Sequence, residues 1–164
     1  MNAIRVHQTG GPDVLQPEEM PEPVAGPGEA VVKLEAIGVN YIEVYQRTGL
    51  YPLAVPFVPG REGAGIVSAI GKGVTLVKVG DRVVSESLNG AYAEFATVQA
   101  DRLVVLPDGV DIRTAAAVML QGLTAHYLAT STYKLTRGDS CLVHAAAGGV
   151  GLLLCQIASR IGAR

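Results

Sequence analysis

Residues 143–151 read Val-His-Ala-Ala-Ala-Gly-Gly-Val-Gly, and Leu-Leu-Leu-Cys-Gln-Ile-Ala follows directly. An apolar strand that ends in a glycine turn and runs straight into a helix gathers unpaired backbone N–H groups at the positive end of the helix dipole. Such a point attracts a phosphate or another anion. Set against G-x-G-x-x-G, the register is Ala146, Gly148 and Gly151, with an extra glycine at Gly149. Glycine at 148 lets the backbone approach a pyrophosphate with no Cβ in the way, and glycine at 151 lets the helix pack close to its strand. Alanine replaces the first glycine, so a tight strand-to-helix turn without a ligand is the competing reading. The well-marked strand and helix on either side favour dinucleotide binding, with Ala147, Gly148, Gly149, Val150 and Gly151 at the phosphates.

The elements that must position this turn follow from periodicity and turn chemistry. Residues 2–7 alternate as a strand, and Gly10 to Gly28 is a Pro-, Gly- and Glu-rich stretch of loop and short edge segments. Residues 30–37 form a clear strand. Asn40 is placed to cap a helix starting at Tyr41, and Thr48-Gly49 ends it. Pro52, Pro56 and Pro59 stiffen an extended loop. Strands are expected at 64–70, 81–86, 92–98 and 102–106, with Gly71-Lys72-Gly73, Gly80 and Asn89-Gly90 between them. Short strands at this spacing predict an antiparallel, barrel-like domain. The texture changes near Asp111: the run Ala115–Leu120 is helical, Gln121-Gly122 interrupts it, and Thr124 caps a second helix. A strand at 140–146 and a helix from about 149 to 162 complete the reading. The fold class is therefore α/β, with residues 1–123 as a β-rich domain and 124–164 as the beginning of a nucleotide-binding one.

Composition narrows the partners. The formal net charge of −2 carries no basic stripe, which argues against nucleic acid and anionic membrane. No stretch approaches the ~20 apolar residues needed to span a bilayer. The N-terminus has no signal-like apolar segment, so a cytoplasmic location is expected. Cys141 and Cys155 are expected to be free and buried. His7, His126 and His144 stand singly without metal-ligand spacing, and His144 is read as a core or backbone-bonding residue. The apolar run Leu152-Leu153-Leu154 with Ile157 predicts self-association into a homo-oligomer.

As a set, these segments resemble the medium-chain dehydrogenase/reductase superfamily, and within it the zeta-crystallin-like quinone oxidoreductases. The carriers of the resemblance are Gly10-Gly11-Pro12-Asp13-Val14-Leu15, Ala36-Ile37-Gly38-Val39-Asn40, Thr48-Gly49-Leu50-Tyr51-Pro52, Gly63-Ala64-Gly65-Ile66-Val67, Gly80-Asp81-Arg82-Val83, Gly122-Leu123-Thr124 and the glycine turn. They cover essentially the whole chain and correspond to the N-terminal half of that family. The resemblance implies a GroES-like, partly open barrel followed by the first βα unit of an incomplete Rossmann fold. It also implies that the isolated chain, lacking most of the adenosine site, is truncated and inactive.

Zinc-dependent relatives place a cysteine ligand where Asn40 stands and a histidine where Arg61 stands, and neither an amide nor a guanidinium is an ordinary zinc ligand. The structural zinc lobe of such relatives needs four cysteines, and Ser85 to Ala91 has none. The resemblance thus implies zinc-independent hydride transfer from NADPH, with NADH as the alternative donor, to a quinone or another small electrophile. An enone or enoyl-thioester acceptor is the second enzymatic reading, and a non-catalytic, self-associating fragment is the third. Without a metal, charge developing on the acceptor oxygen needs hydrogen-bond donors. By similarity these are Tyr45 and Tyr51, while Asn40, Gln121 and Thr124 approach the nicotinamide end of the cofactor. Arg61 either adds a cation near the acceptor or pairs with Glu62, and Glu62 is read as a structural anchor rather than a proton donor.

Overall fold

The computed structural model describes all 164 residues. It is a mixed α/β chain whose strands are antiparallel. Strands β1 (Asn2–Arg5) and β2 (Gln16–Glu19) form a two-stranded ribbon. The main sheet holds β3 (Glu29–Ile37), β4 (Gly63–Ile70), β5 (Arg82–Ser85), β6 (Phe95–Gln99) and β7 (Val104–Val105) in the order β6-β3-β4-β5-β7. The expected partly open barrel is a five-stranded sheet that does not close, with β6 and β7 as its edges.

Small and β-branched residues explain the core. Val32 of β3 lies opposite Val67 of β4 on one side and Ala96 of β6 on the other, and all three are buried. Ala30, Val77, Val83, Leu88, Ala91, Val98 and Ala100 complete the same cluster. This packing fixes the register, because a one-residue slip would turn every buried side chain toward solvent. The outcome is a rigid β3–β4 platform, and helix α1 (Tyr41–Thr48) leaves from its end.

The chain divides into two compact units, Met1–Ala116 and Ala117–Arg164, with the boundary inside helix α2 (Ile112–Tyr127). That helix corrects one expectation, for it runs unbroken through Gln121 and Gly122. A mid-helix glycine costs only about 1 kcal/mol relative to alanine, less than the good helix formers around it can supply. Thr124 is consequently not a cap, and its hydroxyl donates to the Leu120 carbonyl at 2.8 Å. The cap of α2 is Asp111, whose Oδ1 accepts the Arg113 and Thr114 backbone N–H groups at 2.9 and 3.2 Å.

Hydrogen bonds from Thr114 hold the Asp111 carboxyl below the usual carboxylate range. A lowered pKa contributes stability above the unfolded value, and that stability is lost as pH falls through the folded value. Asp111→Ala should therefore lower the thermal midpoint at neutral pH, with the difference closing in acid. A gap of equal size at both pH values would contradict this assignment.

Helix α3 (Gly149–Ile161) ends at Gly162, as its residue pattern implies. The expected strand at 140–146, by contrast, has no ladder. A strand is stabilised by neighbours on its edges, and here Cys141 N–H instead donates to the Arg164 carbonyl at 2.7 Å. Cys141, Cys155 and His144 are exposed rather than buried, since no element of the chain covers them. Leu152 is exposed, whereas Leu153, Leu154 and Ile157 are half-buried. No helix is long and apolar enough to cross a membrane.

Candidate active site

Two carboxylates from different elements converge on Asn40. The residue adopts extended backbone (φ −123°, ψ 150°) and starts α1 in a capping box with Glu43, the reciprocal arrangement that satisfies orphan N–H groups at a helix start. The Glu43 Oε2 accepts the Asn40 backbone N–H. The Asn40 Nδ2 donates to Glu62 Oε2 at 2.9 Å. Glu62 is fully buried, at 0% exposure, immediately before β4. Its carboxyl fills the space that a side chain at Gly38 would need, since a Cβ there would lie 2.0 Å from Glu62 Oε2. Arg61, next in sequence to this buried acid, points its side chain at the exposed surface.

Glu43 is itself buried, at 5% exposure, and also accepts the Tyr92 hydroxyl at 3.3 Å. Burial pushes its carboxyl above the ordinary glutamate range, against the opposing pull of the Asn40 and Tyr92 hydrogen bonds. Tyr92 is pushed up to about 12 by burial and by the neighbouring Glu43. It therefore remains a neutral donor throughout the physiological range.

Spacing on α1 places Tyr41 and Tyr45 one turn apart on one face. Their ring centroids are 5.1 Å apart at 77°, edge to face. Gly49 ends the helix in the left-handed region and turns the chain back. The return brings Tyr51 to Tyr45, with centroids 5.2 Å apart and the Tyr51 N–H donating to the Tyr45 carbonyl at 3.0 Å. Tyr41 and Tyr51 are exposed and Tyr45 is half-buried between them. The three rings form one contiguous aromatic group that begins next to Asn40 in sequence. No group of three or more His, Cys, Asp or Glu side chains is placed to hold a metal.

The second unit carries the glycine turn. Gly148 is the N-cap of α3 with extended backbone (φ −78°, ψ 167°), and no acidic residue lies in the first turn. A Cβ on Gly151 would lie 2.3 Å from the Ala145 carbonyl oxygen, so the glycine allows α3 to begin against the preceding backbone. Ala145 is the one non-glycine residue with positive φ, at 51°. Ala147, Gly148 and Gly149 are exposed and Val150 half-buried. Gln121 reaches the turn: its Cγ would lie 2.8 Å from a Cβ on Gly149. Thr124 sits one turn further along α2, its hydroxyl taken by Leu120.

The structure thus groups Asn40, Tyr45 and Tyr51 in the first unit, and Gln121 with the glycine turn in the second. Sequence reasoning missed Glu43, Tyr92 and the exposed ring of Tyr41 as part of these groupings. Asn40-x-x-Glu43 is a legible capping-box pattern. Tyr92 had no such signal, because it meets Glu43 across 49 positions.

The family model for the alcohol dehydrogenase GroES-like domain matches residues 26–108. A quinone oxidoreductase of Pseudomonas aeruginosa is 50% identical over 155 residues, 93% of this chain and 48% of its own length. The solved Escherichia coli quinone oxidoreductase complexed with NADPH superimposes with a TM-score of 0.98 at 43% identity, covering 100% of this chain and 51% of that one. A mycobacterial protein complexed with NADPH gives 0.97 at 54% identity, again over 100% and 51%. The chain spans about half the length of the curated relatives it matches.

Proposed function

Because the chain belongs to the alcohol dehydrogenase GroES-like domain family, on the quinone oxidoreductase branch of the medium-chain dehydrogenases/reductases, we propose that it supplies the acceptor site and first phosphate turn of an NADPH-dependent, zinc-independent quinone oxidoreductase. The observation that carries this reading is the Tyr41–Tyr45–Tyr51 cluster at the end of a helix whose cap is an amide already bonded to a buried carboxylate. In this proposal residues 1–123 form the catalytic domain and 124–164 begin the nucleotide-binding one.

The residues present fit a dinucleotide. The first N–H groups of α3, from Gly149 onward, lie beside a backbone close approach at Gly151 that only glycine permits, while the Gly148 N–H is taken by the Ala145 carbonyl at 2.8 Å. Ala147 through Gly151 would hold the pyrophosphate, and Asn40, Gln121 and Thr124 would approach the nicotinamide end. When bound, NADPH supplies the hydride. The chain's own contribution is orientation and charge stabilisation: Tyr45 and Tyr51 donate hydrogen bonds to the acceptor oxygen as negative charge builds there. The donor set at the position of Asn40 and Arg61 favours this over a metal-assisted route. A cytoplasmic setting and homo-oligomeric assembly belong to the same proposal.

The test joins this chain to the complementary half of the Pseudomonas relative. The fusion should oxidise NADPH in the presence of a quinone, without loss on treatment with a zinc chelator. Tyr45→Phe should lower kcat by about a hundredfold, the scale of removing one donor from a developing oxyanion. Turnover of enones but not quinones would transfer the reading to the enone reductases, and unchanged kcat in Tyr45→Phe and Tyr51→Phe alike would remove the tyrosines from their role.

A further inference from the structure

Two consecutive residues before β4 have opposite surroundings. Glu62 is fully buried and accepts the Asn40 amide, whereas the side chain of Arg61 is exposed. The main chain of Arg61 is fixed on both sides. Its N–H donates to the Glu43 carboxyl, and its carbonyl accepts the Leu88 N–H at 2.8 Å. The guanidinium, by contrast, forms no ion pair. The acids near it in the chain and in the fold are engaged elsewhere. Glu43 and Glu62 accept from Asn40, and Glu86, two residues before Leu88, accepts the Ser87 hydroxyl at 2.7 Å. A cation on a fixed backbone with no protein counter-charge is free to meet a ligand's charge.

Tyr41 follows Asn40 in sequence, Arg61 precedes Glu62, and Asn40 and Glu62 are joined at 2.9 Å. The aromatic group of Tyr41, Tyr45 and Tyr51 and the unpaired guanidinium thus start from the two ends of one hydrogen bond, all within the first unit. Aromatic rings offer a flat acceptor a surface to pack on. A guanidinium offers a planar fork of donors that matches an anionic, oxygen-rich substituent. We propose that Arg61 is a specificity-determining residue that selects planar quinones carrying a carboxylate or sulfonate over neutral ones. The inference rests on the quinone reading above and deepens it. It leaves the hydride chemistry as it stands, because the charge recognised lies on the ring substituent and not on the reacting oxygen. Every hydrogen bond of Arg61 is made by its main chain, so a change of side chain leaves the local backbone in place.

The experiment compares anthraquinone-2-sulfonate with the neutral 2-(hydroxymethyl)anthraquinone. Binding is read on the 164-residue chain by chemical-shift titration, and turnover on the fusion described above. Wild type should prefer the sulfonate in both. Arg61→Gln should lower the sulfonate-to-neutral ratio of affinity and of kcat/KM by about tenfold or more, the scale of one hydrogen bond to a charged group. Arg61→Lys, which keeps the charge without the fork, should fall between, and Arg61→Glu should reverse the order. Added salt should shrink the wild-type preference. The same ratio in wild type, Arg61→Gln and Arg61→Glu would overturn the inference. So would a loss confined to NADPH affinity, which would assign the guanidinium to the cofactor. A fusion that reduces neither quinone would count against the proposed function instead, and the binding ratios on the chain would still uphold or overturn charge selection by Arg61.

Discussion

Gly38→Ala is expected to cost the fold about 2–6 kcal/mol, from overpacking a filled site and breaking a buried hydrogen bond. The added Cβ would lie 2.0 Å from Glu62 Oε2, 2.6 Å from Cδ and 2.8 Å from Cγ. Flexible side-chain ends usually yield to such contacts cheaply. Glu62 has no room to yield, being fully buried and held by the Asn40 amide at 2.9 Å. Displacing it breaks that buried hydrogen bond, a large loss against typical domain stabilities of about 5–15 kcal/mol. Denaturant titration measures the loss directly. The double variant Gly38→Ala with Glu62→Ala removes the clash and should be clearly less damaging than the two single losses added together. A Gly38→Ala chain within about 1 kcal/mol of wild type would show that Glu62 can relocate freely, contrary to the packing described.

Gly151→Ala is expected to weaken NADPH binding by about a hundredfold or more, the cost of misplacing a binding element by roughly an ångström. The atoms its Cβ would meet are all backbone: the Ala145 carbonyl oxygen at 2.3 Å, Ala146 Cα at 2.7 Å and the Ala145 carbonyl carbon at 2.9 Å. No rotamer relieves contacts of this kind. Helix α3 must instead move away from the turn, carrying its first N–H groups with it. Gly148→Ala is the informative control, because its nearest contact is 3.2 Å and a small adjustment accommodates it. Cofactor titration of the fusion protein should thus rank wild type above Gly148→Ala and Gly148→Ala well above Gly151→Ala. The reverse order of the two variants would show that approach to the cofactor, rather than helix packing, sets the need for glycine here.

Much of the local structure was legible in the residues. The alternation in 30–37 and 64–70 marks β3 and β4, Asn40 and Gly49 bracket α1, and the glycine turn leads into α3 close to where the pattern begins. Each of these depends on a periodicity or a turn preference that acts over a few residues. The misreadings share the opposite character. Gly122 looked like a helix break but lies inside α2, because the residues on both sides outweigh its modest cost. Residues 140–146 have the composition of a strand without a ladder, and Cys141 and His144 are exposed for the same reason. Strand formation and burial depend on what lies alongside, which composition does not specify.

The site divides along that line. Sequence by itself determined the residue types: amide and guanidinium where zinc-dependent relatives of the family carry ligands, tyrosines around a short capped helix, and glycines at a strand-to-helix turn. Tertiary structure alone decided that Glu62 reaches Asn40 across 22 positions, that Tyr92 reaches Glu43 across 49, and that Tyr51 folds back onto Tyr45. Local chemistry is written in neighbouring residues, whereas the burial that gives two carboxyls their character exists only once distant segments have closed around them.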